Sequence, residues 1–242
     1  MRIGREDVDY HLFWCPGTCS RVTFTALMET GASFEATVVN RYGDPSDTAG
    51  YLEINPKGRV PTLVVDGHSL TETPAILTYL ARRHPDASVL PRGDAYAEID
   101  ALVLTSWFAA GVHRYITPFR FPHTVCDRDE AYPTIQDVAR GHLEAAFALL
   151  EDRLSGQEWL FAEWSVADAY MLWLWFRATG SGMDGRQFPG CLDHARRCEL
   201  RPSVASVLER EESEYQELER TGSILVPDSP FLVGRSPSFA DG

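Results

Sequence analysis

The 242-residue sequence lacks an apolar run that approaches the ~18 residues a membrane-spanning helix requires. Its first ten residues, MRIGREDVDY, lack the apolar core of a signal peptide. No stretch is strongly basic, and the chain carries a formal net charge of −13. Because the sequence shows neither a signal peptide nor a membrane span, we expect a cytoplasmic protein. Because the negative charge repels phosphate backbones and anionic lipid, we expect neither nucleic acid nor membrane as a partner.

The cysteines lack the spacing of a metal site, since no C-x-x-C pair occurs and no pair of histidines accompanies them. Their number, five, is odd, and a reducing cytoplasm keeps thiols reduced. The sequence therefore predicts neither a metal centre nor a disulfide framework. Taken singly, a free cysteine is most often a small core residue. The five are Cys15, Cys19, Cys126, Cys191 and Cys198.

Strand and helix signals alternate over the first 85 residues. Residues 10–14 have the character of a buried strand, residues 21–29 that of a helix, and residues 33–40 that of a second strand. Residues 59–70 form two apolar runs around Asp66-Gly67, which predicts a hairpin. One crossover followed by one hairpin is typical of a small α/β sheet that carries helices.

The pattern changes after a connector rich in proline, glycine and aspartate over residues 84–95. Apolar residues then recur at helical spacing, and a last helix follows Pro202. We expect an α/β domain over residues 1–85, an all-helical domain over residues 95–221 and a flexible tail over residues 222–242. The segments with helical spacing are residues 95–115, 134–154 and 166–178.

Four motifs, in this order and spacing, resemble those of the glutathione transferases: PGTCSRVT, NPKGRVPTLVVDG, TETPAILTYL and WSVADAYMLWLW. Two segments, PGTCS and GVHRYITPFRFP, are most similar to the bacterial beta class, and the likeness covers roughly residues 10–215. The resemblance implies a thioredoxin-like N-terminal domain, a helical C-terminal domain and a homodimer. It also implies glutathione as co-substrate, no metal, and conjugation to small hydrophobic electrophiles in detoxification.

The resemblance assigns the glutathione-binding residues to two motifs. It implies a cis peptide bond at Val60-Pro61, which would free the Val60 backbone to pair with the extended tripeptide. Thr73 is predicted as a helix N-cap with Pro74 at the first helical position. Exposed N–H groups at that helix start suit a carboxylate, and Glu72 would meet the neighbouring ammonium of a γ-glutamyl group.

The beta-class pattern implies that Cys19 faces the glutathione sulfur, with Ser20 beside it as a hydroxyl donor. A helix N-terminus lowers the pKa of a thiol, which favours a reactive Cys19. A second alignment remains open. The Cys15-Pro16 pair after the strand also resembles the omega class, whose active cysteine precedes a proline. If Cys19 is the active thiol, Cys15 is a packing residue at the end of the strand.

The resemblance also assigns roles to three further residues. His113 would hold or protonate the glutathione sulfur, Arg114 would meet an acidic group of the tripeptide, and Lys57 would lie near its glycine end. We expect the electrophile to bind against apolar side chains of the cleft. These are Trp107, Phe108 and Tyr115.

Ser165 and Asp168 match the S-x-x-D capping box, in which each side chain satisfies the other residue's backbone N–H. We predict a structural role for this motif. The tryptophans around it are expected to belong to the core; they are Trp159, Trp164, Trp173 and Trp175.

Two other functions remain open from the sequence. A glutathione-dependent thiol–disulfide reductase or glutathione lyase would act through a mixed disulfide on Cys19. A non-enzymatic ligand-binding module would use the same fold without chemistry. The presence of Cys19, Glu72, Thr73 and His113 favours an enzyme over such a module.

Overall fold

A four-stranded mixed sheet lies in the N-terminal part of the computed structural model, which describes residues 8–41 and 48–223. The strand order is β2-β1-β3-β4, in which β1 pairs parallel with β2 and antiparallel with β3. The β3–β4 hairpin turns at Asp66 and Gly67, whose positive φ values of 48° and 82° suit this predicted turn. The strands are β1 (Tyr10–Trp14), β2 (Glu35–Val38), β3 (Thr62–Val65) and β4 (His68–Thr71).

Three helices accompany this sheet, and the described residues after residue 84 contain helices but no strand. The thioredoxin-like α/β part followed by a helical part is therefore confirmed. The short α2 and the later α8 were not predicted. The first three helices are α1 (Ser20–Thr30), α2 (Tyr51–Ile54) and α3 (Thr73–Arg83). The others are α4 (Ala95–Trp107), α5 (His113–Arg120), α6 (Tyr132–Arg153), α7 (Val166–Thr179), α8 (Pro189–Glu199) and α9 (Pro202–Arg220).

The single helix predicted over residues 95–115 is interrupted by a π-helical turn over Phe108–Val112, between α4 and α5. Gly111 lies under the Trp107 ring in this turn. A Cβ at Gly111 would come within 2.5 Å of Trp107 Cδ1, so any larger residue would displace the ring. The wider turn changes which side chains of the following helix face inward, because it does not follow the α-helical repeat of 3.6 residues.

Helix α7 is the centre of the helical part, with 13 of its 14 residues buried. The predicted capping box at its start is present. Asp168 Oδ2 accepts the Ser165 N–H at 2.9 Å, and Asp168 Oδ1 accepts the Leu160 N–H at 2.8 Å and lies 2.9 Å from His194 Nε2. Asp168 and His194 are both fully buried, so this carboxylate joins three separate segments in the core.

The predicted tail, residues 222–242, lies outside the described residues except for its first two. Of the four tryptophans predicted for the core, three are buried and Trp159 is partly exposed; the buried ones are Trp164, Trp173 and Trp175.

Candidate active site

A cleft of about 580 Å³ is lined by residues from both the sheet-containing part and the helical part. The first part contributes Cys19, Asn55, Lys57, Arg59, Val60, Pro61, Thr71, Glu72 and Thr73. The second contributes Ala109, His113, Arg114, Thr117, Pro118, Thr124, Val125 and Tyr170.

Cys19 is the N-cap residue of α1 and lines this cleft. Its Sγ donates to the Val60 carbonyl oxygen at 3.4 Å. Burial raises the pKa of the Cys19 thiol to about 12, and the charge of Glu72 acts in the same direction. The expectation that the helix start lowers this pKa is therefore wrong. Desolvation of a thiolate outweighs the partial charge at the helix end, and the thiol stays protonated at neutral pH.

The neighbouring Ser20 does not face the cleft, contrary to its expected position as a donor beside the ligand sulfur. It is fully buried, and its Oγ accepts the Cys15 N–H at 3.0 Å and contacts Thr18 Oγ1 at 2.7 Å. Cys15 is also fully buried and packs in a small cluster with Val39 and Tyr51. The structure thus places Cys19, and not Cys15, at the cleft.

The loop before Cys19 is tied to the helical part by hydrogen bonds. Glu211 on α9 accepts the Gly17 N–H at 3.0 Å, and the Gly17 carbonyl accepts from Trp173 Nε1 at 3.1 Å. The Glu211 carboxylate also pairs with Arg21, whose Nε lies 2.9 Å from Oε2. Arg21 is 2% exposed and Glu211 is fully buried. The position of this loop therefore depends on residues nearly two hundred positions away.

The Val60–Pro61 peptide bond is cis, which confirms the expectation, and both residues line the cleft. The Val60 backbone is only partly open, because its carbonyl oxygen accepts from the Cys19 thiol. Within residues 8–41 and 48–223, no hydrogen bond joins the Val60 N–H to another residue. One backbone donor and one weakly engaged acceptor are thus left for a ligand.

Lys57 and Glu72 were expected at opposite ends of a bound tripeptide, but their charged groups are in direct contact. Lys57 Nζ also lies 2.7 Å from Thr71 Oγ1. Glu72, and not Thr73 as predicted, is the N-cap residue of α3, and it has a φ of 70° that is rare for a residue other than glycine. Such strained backbone positions cluster at functional sites. The helix start at Thr73 opens on the cleft.

His113 is the first residue of α5 and packs edge-on against Trp173, with ring centroids 4.5 Å apart. Burial, together with the charges of Arg177 and Arg59, lowers the pKa of His113 from 6.5 to about 4. The imidazole is therefore neutral at physiological pH and can donate one N–H without carrying a charge. Its neighbour Arg114 also lines the cleft.

The structure does not bring the three predicted electrophile-binding residues to the cleft. Phe108 is fully buried, and Tyr115 stacks on His142 of α6 with ring centroids 4.1 Å apart. Trp107 lines a separate shallow groove between α4 and α6. Of the three, only Tyr115 follows the π-helical turn, which shifts the face of the next helix relative to a regular one. The helical side of the cleft is instead lined largely by Ala109, Thr117, Pro118 and Val125.

Arg59 and Tyr170 are among the cleft residues that the sequence analysis did not assign. Arg59 lies between NPKG and Val60, so its place inside a ligand-binding motif was an available signal. Tyr170 had no such signal, because it lies in an apolar helix whose sequence predicts only a packing role in the core. With Lys57 and Arg114, Arg59 gives the cleft three cationic groups beside the Glu72 carboxylate, although the chain is acidic overall.

No helix within the described ranges is both long and apolar enough to cross a membrane. Within those same ranges, no group of three or more histidine, cysteine, aspartate or glutamate residues is arranged to hold a metal ion.

The chain is similar to known proteins along most of its length. Residues 14–83 match the family model for the glutathione S-transferase N-terminal domain. Glutathione S-transferase GstA of Escherichia coli O157:H7 is 29% identical over 205 residues, which are 83% of this chain and 98% of that protein. A sphingomonad glutathione S-transferase solved with glutathione is 31% identical with a TM-score of 0.74, covering 84% of this chain and 98% of its own.

A third likeness is more local. A probable maleylacetoacetate isomerase of Caenorhabditis elegans is 43% identical over 95 residues, which are 39% of this chain and 44% of that protein. The N-terminal family model and the similarity to solved transferases along nearly their full length agree with the cleft geometry. The chain belongs to the glutathione S-transferase family and is a glutathione transferase.

Proposed function

We propose that this transferase conjugates the glutathione thiolate to small hydrophobic electrophiles, with residues 1–85 binding the tripeptide and residues 95–221 binding the electrophile. The proposal is based on the residues that line one cleft. Cys19, the Val60 backbone and the α3 start at Thr73 face it from one side, and His113 faces it from the other. A thiol ligand bound between them has its sulfur enclosed by weak donors and its charged ends at the rim.

Glutathione binding rearranges the ion pair between Lys57 and Glu72. The backbone N–H groups at Thr73 take the γ-glutamyl carboxylate, and Glu72 takes the ammonium on the same carbon. Because that ammonium replaces Lys57 as the partner of Glu72, the Lys57 amine becomes available for the glycine carboxylate. Arg59 and Arg114 supply further positive charge, and the Val60 N–H pairs with the tripeptide backbone.

The sulfur is activated by donors that carry no charge. The protonated Cys19 thiol turns from the Val60 carbonyl to the glutathione sulfur, and the neutral His113 ring offers a second N–H. These donors favour the thiolate, which is the nucleophile. The glutathione proton leaves to water in the open cleft. The thiolate then forms a carbon–sulfur bond with the electrophile while the leaving group, such as chloride, departs with the electron pair.

Turnover of a chlorodinitrobenzene substrate with glutathione tests this proposal. We expect wild-type protein to release chloride and to form the thioether in equal amounts. Cys19→Ala should lower kcat/KM at pH 7 about tenfold, since one hydrogen bond to a charged group is worth about 1.5 kcal/mol. Cys126→Ala, a partly exposed cysteine outside the cleft, is the matched control and should leave the rate unchanged. Absence of thioether in wild type would reject conjugation.

The reductase or lyase alternative requires Cys19 to act as a thiolate, and its raised pKa does not support that role. Mass spectrometry after treatment with oxidised glutathione at pH 7 separates the two. We expect no mixed disulfide on Cys19. A stoichiometric adduct on Cys19, without thioether formation, would support the alternative. If neither the mixed disulfide nor the thioether forms, the result would support a ligand-binding module.

Isomerisation is a second candidate, because a probable maleylacetoacetate isomerase is 43% identical over part of the chain. In that chemistry the thiolate adds to a conjugated double bond, the bond rotates, and the sulfur leaves again. Glutathione is then not consumed. Titration of free thiol during conversion of maleylacetoacetate therefore distinguishes isomerisation from conjugation.

We also propose a homodimer that uses the exposed apolar face of α4. Tyr96, Ile99 and Val103 are 88%, 59% and 60% exposed, and their spacing places them on one face of the helix. Light scattering at micromolar concentration should give twice the chain mass, and Ile99→Asp should yield monomer. Glu98→Asp on the same helix is the control. A wild-type monomer would reject this arrangement.

A cytoplasmic location and a role in removing toxic electrophiles complete the proposal. All five cysteines are free in the structure, which suits a reducing compartment that supplies glutathione. Cell fractionation with an antibody to the chain tests the location. Survival of a deletion strain challenged with chlorodinitrobenzene tests the role.

A further inference from the structure

Tyr170 is a buried tyrosine on the helical side of the cleft. It lies in α7, its side chain is 1% exposed, and it still lines the cavity that contains Cys19 and His113. Within the part of the chain that the structure describes, no hydrogen bond joins its hydroxyl to another residue. The hydroxyl oxygen is not among the buried polar atoms that lack a partner, so this end of the side chain opens on the cleft. The hydroxyl is thus available to donate to a ligand bound there.

The ring of Tyr170 is held in place from two sides. It packs edge-on against Phe108, with centroids 5.4 Å apart, and lies 6.2 Å from the ring of Trp173 one helical turn later. Trp173 in turn contacts the His113 ring and donates to the Gly17 carbonyl. The phenol therefore belongs to the same packed group that positions His113 and the loop before Cys19.

We propose that the Tyr170 hydroxyl donates a hydrogen bond to the glutathione sulfur and stabilises the thiolate, which makes Tyr170 a catalytic residue. This inference rests on the proposed function. Burial, and secondarily the neighbouring Cys19 and Glu72, raises the pKa of the phenol well above its usual value. The group therefore remains a protonated donor throughout the physiological range. It approaches the sulfur from the helical side, opposite the Cys19 thiol.

Tyr170→Phe removes only the hydroxyl and keeps the packed ring. Tyr115→Phe is the matched control, since Tyr115 stacks on His142 and does not line the cleft. The first readout is the thiolate absorbance of enzyme-bound glutathione near 240 nm across pH. We expect Tyr170→Phe to raise the pKa of bound glutathione by about one unit or more, and to lower kcat/KM at pH 7 roughly tenfold to a hundredfold. Tyr115→Phe should match wild type.

A binding comparison separates a catalytic role from a structural one. S-methylglutathione has no thiol to ionise, so Tyr170→Phe should bind it as wild type does while binding glutathione more weakly at pH 8. Equal weakening for both ligands, or an unchanged pKa of bound glutathione, would overturn the inference. If wild type forms no thioether, the proposed function fails instead, and the two failures are distinct.

A second measurement covers the case in which Tyr170→Phe does not fold. Wild-type protein labelled with ¹³C at the tyrosine Cζ should show one phenol resonance that shifts with glutathione but not with S-methylglutathione. If no phenol responds differently to the two ligands, the hydroxyl does not contact the sulfur and the inference is refuted.

Discussion

Replacement of Glu211 by glutamine should destabilise the protein and displace the loop that precedes Cys19. The Glu211 carboxylate is fully buried and accepts from two groups, the Gly17 N–H and the Arg21 guanidinium. Glutamine keeps the shape but has one acceptor oxygen and no charge. Arg21, which is 2% exposed, would then be a buried cation that has lost its ion pair with Glu211.

The size of the effect follows from this geometry. Breaking a buried ion pair by removing one partner costs about 3–5 kcal/mol, because the remaining charge stays desolvated. For a chain of this length, 1 kcal/mol corresponds to a shift in Tm of roughly 2–4 °C. We therefore expect Glu211→Gln to lower Tm by about 6–20 °C. Glu212→Gln, one residue later at an exposed position, should change Tm by less than about 2 °C.

Denaturant unfolding at fixed protein concentration measures the free energy of unfolding. Glutathione affinity, measured at a temperature where both variants are folded, tests whether the loop before Cys19 has moved. We expect weaker glutathione binding in Glu211→Gln, because the single carbonyl oxygen of glutamine replaces the two carboxylate oxygens that accept from Gly17 and Arg21, and the backbone before Cys19 is freer to move. Stability within 1 kcal/mol of Glu212→Gln would refute the reasoning, since it would mean that Arg21 is solvated or paired by another group.

Three further predictions concern the cleft. Lys57 is the only lysine in the sequence, so an amine-specific reagent modifies only this side chain and the N-terminal amine. Glutathione at ten times its Kd should slow the modification of Lys57 about tenfold. With a pKa of about 12, Cys19 has a thiolate fraction of roughly one in ten thousand at pH 8, so iodoacetamide should label it far more slowly than Cys126. The pKa of His113 is lowered from 6.5 to about 4, so the unfolded chain binds this proton first as pH falls. Stability should then fall by up to about 3 kcal/mol between pH 6.5 and pH 4, and His113→Asn should remove that part of the pH dependence.

Each of these has an outcome that would contradict it. Glutathione that accelerates modification would mean that Lys57 is released to solvent and not bound by the tripeptide. Labelling of Cys19 as fast as Cys126 at pH 8 would mean that the thiol is not desolvated, and labelling of Cys15 in the folded protein would favour the omega-like alignment. An unchanged slope of stability against pH in His113→Asn would mean that the imidazole is accessible to water.

Local features were accessible from the sequence because they depend on neighbours along the chain. The Asp66-Gly67 turn, the Ser165–Asp168 capping box and the strand–helix order each follow from residues within a few positions of one another. The cis bond before Pro61 came from the resemblance instead, since an X-Pro bond is usually trans. The position of Cys19 at the start of a helix was likewise local.

Tertiary structure decided the features that depend on distant residues. Burial, which no local pattern reports, reversed the expected direction of the Cys19 pKa shift. The contact between Glu211 and Gly17 joins residues 194 positions apart, and the sequence around either residue does not predict it. Tyr115 follows the π-helical turn at Phe108–Val112 and does not line the cleft, whereas Tyr170 of α7 does. Helical periodicity assigns a face only while the turn stays regular, so the sequence could not assign the face of a residue beyond that turn.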